Sequence, residues 1–184
     1  MYIQTTAPTD ILHYWFETLT PKDWWRKDED IDRHIHERFG ATLLAASRCE
    51  LYEWRESPHG RLAEIIVLDQ FPRHIHRDAP QAFATDGIAL ALAQEAVRIG
   101  ADEGLTGAER AFLYMPYMHS ESRAIHQIAV RLFDQPGLED NLKFAHAHKA
   151  IIDLFGRYPH RNHILGRETT AEEAVFLAQP GSSF

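Results

Sequence analysis

A chain of 184 residues with 45% hydrophobic and 25% charged residues has the balance of a globular protein, which excludes extensive disorder and predicts a single domain over 1–184. Its 19 Lys and Arg against 27 Asp and Glu leave a net charge of -8, which argues against nucleic acid as a partner unless positive charge gathers locally. No run approaches the roughly 20 apolar residues of a membrane span, and the opening MYIQTTAPTD lacks the basic-then-apolar pattern of an export signal, so a soluble, cytoplasmic protein without membrane contact is expected. The single cysteine, Cys49, cannot form an internal disulfide and is expected to be a small buried thiol.

Helical spacing dominates the chain. Ile11, Leu12, Trp15, Phe16 and Leu19 recur at helix spacing, with Thr9 or Asp10 placed to cap the first helix. A second helix begins near Asp28, presents Ile31, Ile35, Phe39, Leu43 and Leu44, and runs to about Arg48. Ser57 before Pro58 is an N-cap and first-turn pair. The helix it opens contains EIIVL and stops at Pro72. Thr85 opens an Ala-rich helix with Gly100 as its expected C-terminal cap. Thr106 with Glu109 and Thr170 with Glu173 match the reciprocal capping box. The segments SESRAIHQIAVRLFD and LEDNLKFAHAHKAIIDLFG complete an all-α stack of roughly eight to nine helices, packed as antiparallel hairpins joined by short turns.

Three helix exits share a form, LDQFPRHIHR, FLYMPYMHSE and LFGRYPHRN, with Pro72, Pro116 and Pro159 spaced 44 and 43 residues apart. Stacked helical hairpins of such a period place equivalent turns on one edge. Asp69, Arg73, His119, Glu121, Arg157, His160 and Arg161 are then expected to converge. Asp69 sits in the last turn of its helix, where a carboxylate needs a cation, and Arg73 or Arg77 can supply one. Pro116 is expected to interrupt its helix, leaving Tyr114, Tyr117, His119 and Glu121 on irregular backbone. His119 suits a general acid or base, while Ser120 reads as the cap of the following helix.

Twelve histidines raise the question of a metal. His34 with His36, and His146 with His148, fall about 200° apart around a helix and cannot share an ion. No HExxH or paired CxxC occurs, so no metal is expected, the alternative being a site of His119, Glu121, His160 and Asp69. GxSxG, GxxxxGK and GxGxxG are also missing, and no cofactor is expected. Ser182 and Ser183 read as a docked or frayed tail rather than nucleophiles.

What remains suits a small anion, a carboxylate or phosphate, held by Arg73, Arg157, Arg161, Asn162 and Tyr117. In an enzyme built on this cluster, His119 or His160 moves a proton and Asp69 or Glu121 orients the imidazole. The alternative is a protein interaction module, or a homo-oligomer, in which the polar cluster is purely structural and Trp24 or Trp25 anchors a partner.

The ordered series LDQFPRHIHR, FATDGIALALA, ERAFLYMPYMHSE, FGRYPHRNHILGRETTAEEAVFLAQPGSSF and WWRKDEDIDRHIHERFG resembles a bacterial family known only as a domain of unknown function, number 924. The resemblance spans nearly the whole chain. It rests on Asp69 to Arg73, Tyr114, Pro116, His119 to Glu121, Gly156, Arg157, Pro159 to Asn162, Gly166 and Arg167. It implies a compact all-helical fold with tetratricopeptide-like helix packing, and no established activity or cofactor. His74 and His76 depart from the family pattern and are not counted in a shared site.

Overall fold

A computed structural model of the chain describes residues 5–182; Ser183 lies outside the described residues. The fold is all-α, with no strand among these residues. Helices α1 (Pro8–His13), α2 (Glu29–Ser47), α3 (Pro58–Asp69), α4 (Phe71–Ile75) and α5 (Asp86–Arg98) are followed by α6 (Gly107–His119), α7 (Arg123–Phe133), α8 (Glu139–Phe155) and α9 (Ala171–Leu177).

Capping chemistry sets most of the starts. Asp28 accepts from the amides of Asp30 and Ile31, Ser57 accepts from Gly60, and both Thr106–Glu109 and Thr170–Glu173 form reciprocal capping boxes. At α1 neither Thr9 nor Asp10 caps: Ala7 takes that position with Pro8 just inside, because the fixed φ of proline suits a first turn whose N–H would be unpaired anyway.

α3 lies at the centre. Every residue from Leu62 to Asp69 is buried, so the helix is enclosed on all sides, by α1, α2, α5 and α6. Its buried Glu64 is met by Arg55 through two N–H donors at 2.7 Å, which makes an enclosed carboxylate tolerable. From α5 to α8 each helix packs on the next, α5 on α6, α6 on α7 and α7 on α8. A smaller cluster of Ile151, Ile152 and Tyr158 ties the C-terminal segment to α8.

Four further expectations are corrected. Pro72 does not simply stop α3, since it sits in the first turn of the short α4. Pro116 does not interrupt its helix: α6 continues to His119, because the residues from Ala111 to Met118 are all buried and their packing outweighs the one missing N–H. Ser122 rather than Ser120 takes the N-cap position before α7, and it makes no side-chain cap. Cys49 is exposed, not buried, on backbone with φ of 59° just past the end of α2.

Candidate functional site

Two helix ends meet at the site. Asp69 is the last residue of α3 and His119 the last of α6. His119 Nδ1 lies 2.7 Å from Asp69 Oδ1; with Asp69 ionised, the imidazole donates there and its Nε2 is the nitrogen left for other work. Gln70 Nε2 donates to the other oxygen of Asp69. Burial alone would raise the Asp69 pKa, but the charges of His119 and Arg73, with the hydrogen bonds from His119 and Gln70, hold it below the usual carboxylate range. The His119 pKa is lowered, first by burial and then by the Arg73 charge. At neutral pH the pair is therefore an ionised carboxylate and a neutral imidazole.

Arg73, one turn beyond Asp69, donates to the Asp69 carbonyl and grips Asp86 through both terminal nitrogens at 2.9 and 3.1 Å. Asp86 opens α5, where the positive helix end also favours a carboxylate. Arg161 Nη1 reaches the same Asp86 at 3.3 Å. The Arg161 guanidinium lies 4.5 Å from the centre of the Phe83 ring and 4.7 Å from that of Tyr158, an arrangement that holds a flat cation by its faces. The residue is only 6% exposed, and its Nε–H has no hydrogen-bond partner among the described residues.

Glu121 is gripped from the other side. Arg167 donates to its two oxygens at 2.6 and 3.0 Å, and the Tyr158 amide adds a third donor at 2.7 Å. Burial pushes the Glu121 pKa up, yet the Arg167 and Tyr158 hydrogen bonds bring it below the ordinary value. Behind it, the Tyr158 hydroxyl donates to the Met118 carbonyl and lies 3.2 Å from His126 Nε2, which in turn bonds the Ser120 carbonyl at 2.7 Å. These bonds fix the turn that carries His119 to Glu121.

The parts surround an open pocket of about 340 Å³. Its lining includes the polar residues His119, Ser120, Glu121, Asp86 and Arg161 and the apolar residues Pro80, Phe83, Leu90, Pro116 and Leu165. Of the residues singled out from the sequence, Asp69, Arg73, His119, Glu121 and Arg161 gather at or directly behind this pocket. Four others do not line it. Arg157 is taken up by Glu173, at 2.7 and 2.9 Å, and by the Glu168 carbonyl. Asn162 is buried and donates to the same Glu173 at 3.1 Å. Tyr117 is buried away from the pocket, its pKa pushed up to about 12 by burial. His160 packs against the Tyr158 ring at 5.4 Å, and burial lowers its pKa to about 4.

Asp86, Phe83 and Arg167 were not singled out for chemistry. The signal for Asp86 was its place directly after Thr85 at a helix start, and it reads locally as a first-turn acid. Arg77 does not reach Asp69 and instead holds Asp32 at 2.6 and 2.7 Å, with His74 on the same carboxylate at 2.8 Å. Among the described residues no group of three or more His, Cys, Asp and Glu is arranged to hold a metal ion. No helix among them is long and apolar enough to cross a membrane.

Residues 11–181 match the family described as bacterial protein of unknown function (DUF924). The chain is also similar to a solved structure of a protein of unknown function from Agrobacterium tumefaciens, at 40% identity and a TM-score of 0.89, over 93% of this chain and 96% of that one. No curated protein matches.

Proposed function

Because the chain belongs to the bacterial family of unknown function DUF924, its site has to supply the reading, and we propose that the pocket binds a small anionic molecule beside a proton-accepting His119. A formal excess of cations does not support this, since Arg73, Arg161 and Arg167 are matched by Asp69, Asp86 and Glu121. What supports it is the uneven distribution of partners. Arg161 and Arg167 both keep a buried, unpartnered Nε–H, but Arg73 and Arg167 each hold a carboxylate with two bonds, whereas Arg161 makes one side-chain bond, of 3.3 Å. A buried guanidinium so poorly satisfied is stabilised by an incoming carboxylate or phosphate oxygen.

Catalysis would add the second element. A neutral His119, oriented through Nδ1 by Asp69, offers Nε2 as a base to a ligand or water held against Arg161. The test is thermal unfolding of the full chain with a panel of small carboxylates and phosphates, on the wild type and on Arg161→Gln. A ligand at about 100 times its Kd adds about 2.7 kcal/mol of stability, so the wild type should melt higher with at least one anion and the variant should not. A flat wild-type response across the panel overturns the reading.

A second reading, a protein interaction module with tetratricopeptide-like helix packing, is favoured by one observation. Trp25 is 63% exposed and stacks on Phe112, centroids 6.1 Å apart, as a binding anchor would. Trp24 is less suited, because its Nε1 is already bonded to the Trp15 carbonyl at 2.8 Å. Retention of a partner by wild type and its loss from Trp25→Ala would support this reading; equal retention removes the anchor.

A further inference from the structure

The pocket does not treat all anions alike, and we infer that its ligand is a monocarboxylate with an apolar tail rather than a phosphate. This rests on the anion-binding reading above and narrows it.

The first argument is charge. Two carboxylates, Asp86 and Glu121, line the pocket with Arg161. Each already has its cation: Asp86 is held by Arg73, and Glu121 by Arg167. An entering anion therefore meets one under-used guanidinium and two acids across a small space. One negative charge can be matched by Arg161. The second charge of a phosphate dianion would face Asp86 and Glu121 with no cation left to offset it.

The second argument counts donors. Phosphate presents three strongly accepting oxygens beyond its ester or hydroxyl, and sites that bind it gather several N–H groups or a helix N-terminus. Here Arg161, Ser120 and His119 line the pocket, and the N-terminal turn of α5, which also borders it, already carries its own carboxylate, Asp86. The two oxygens of a carboxylate are within the reach of those three residues. Arginines elsewhere in this protein hold a carboxylate in this way: Arg55, Arg77 and Arg157 each use Nε and Nη2 together, on Glu64, Asp32 and Glu173. In Arg161 the Nε–H has no partner among the described residues, and the bond to Asp86 comes from Nη1.

The third argument is the apolar lining. Phe83, Leu90, Pro80, Pro116 and Leu165 present carbon to the cavity, a surface that adds nothing for a bare phosphate and favours a hydrocarbon chain. At about 340 Å³ the space suits a short chain rather than a large cofactor.

Isothermal titration of the full chain near pH 7.5 with hexanoate, hexanamide, acetate and inorganic phosphate tests this. Hexanoate should bind at least about tenfold more tightly than hexanamide, acetate or phosphate, since both charge and tail contribute. Leu90→Ala should weaken hexanoate and leave acetate unchanged, and Arg161→Gln should abolish the preference for hexanoate over hexanamide. Should Arg161→Gln fail to fold, the wild-type comparison of hexanoate with hexanamide reads the same charge. Phosphate binding as tightly as hexanoate overturns this inference while leaving the anion-binding reading intact. Equal binding of hexanoate and hexanamide, or no binding by any of the four, overturns both.

Discussion

Asp69 and His119 stand 50 residues apart in the chain and meet at 2.7 Å where two helices end. The carboxylate is wholly buried, so His119, Gln70 and Arg73 do for it what water would otherwise do. Asp69→Asn keeps the shape and removes the charge that faces Arg73. It should cost about 3 kcal/mol in urea unfolding, in line with breaking an enclosed ion pair. It should also lower the His119 pKa further, because a favourable charge beside the imidazole is gone; an NMR titration in which that pKa rises would sink the proposed pairing.

Acid should destabilise the protein well before its carboxylates are all protonated. Burial lowers the pKa of His148 to about 3 and of His160 to about 4, from an ordinary value of 6.5. Between those values the unfolded chain binds protons that the folded one refuses, so stability is lost as pH falls from about 6.5 towards 4. Each such histidine contributes up to about 1.4 kcal/mol per pH unit in that window. His148→Gln should flatten the dependence of the urea midpoint on pH between 6 and 4, and an unchanged slope would show that His148 titrates normally.

Glu173 is a stitch rather than a ligand group. It accepts from Arg157, Asn162 and the Thr170 amide, tying α9 to the turn that carries Arg161. Glu173→Gln should lower the melting temperature by roughly 2 to 6 °C and leave the relative affinities for hexanoate and phosphate as they are. Loss of anion binding with the fold intact would instead mean that this network shapes the pocket directly.

Gly60 sits in the first turn of α3, where the backbone of Trp54 passes close by. A Cβ there would lie 2.0 Å from the Trp54 carbonyl oxygen, and a carbonyl cannot swing aside as a side chain can. Gly60→Ala should cost about 3 kcal/mol or prevent folding, despite alanine being the better helix former. A variant as stable as wild type would show that the Trp54 turn moves freely.

The caps were legible because they are local. Asp28, Ser57, Thr106 and Thr170 lie two or three residues from the N–H groups they accept from, so spacing alone specifies the bond. The prolines misled for the converse reason. The local penalty of Pro116 is real, but whether a helix survives it depends on how much apolar surface is buried on either side, and here Phe112 to Met118 are enclosed. Cys49 likewise follows its helix in periodicity yet falls on a left-handed turn that faces solvent.

Residue types and spacing alone determined that this chain is helical and where most of its helices begin, and they singled out Asp69, Arg73, His119, Glu121, Arg157, His160 and Arg161 as one cluster. Which charge meets which was decided only by the tertiary structure. Any arginine can hold any carboxylate, and the chain has 27 acidic side chains to choose from. Arg157 finds Glu173, Arg77 finds Asp32 and Arg73 finds Asp86, while Arg161, clamped between Phe83 and Tyr158, is left with one long bond. Coulomb attraction falls off with distance in space and takes no account of distance along the chain, so only the packing of α3, α5 and α6 could leave that one guanidinium facing a pocket beside His119.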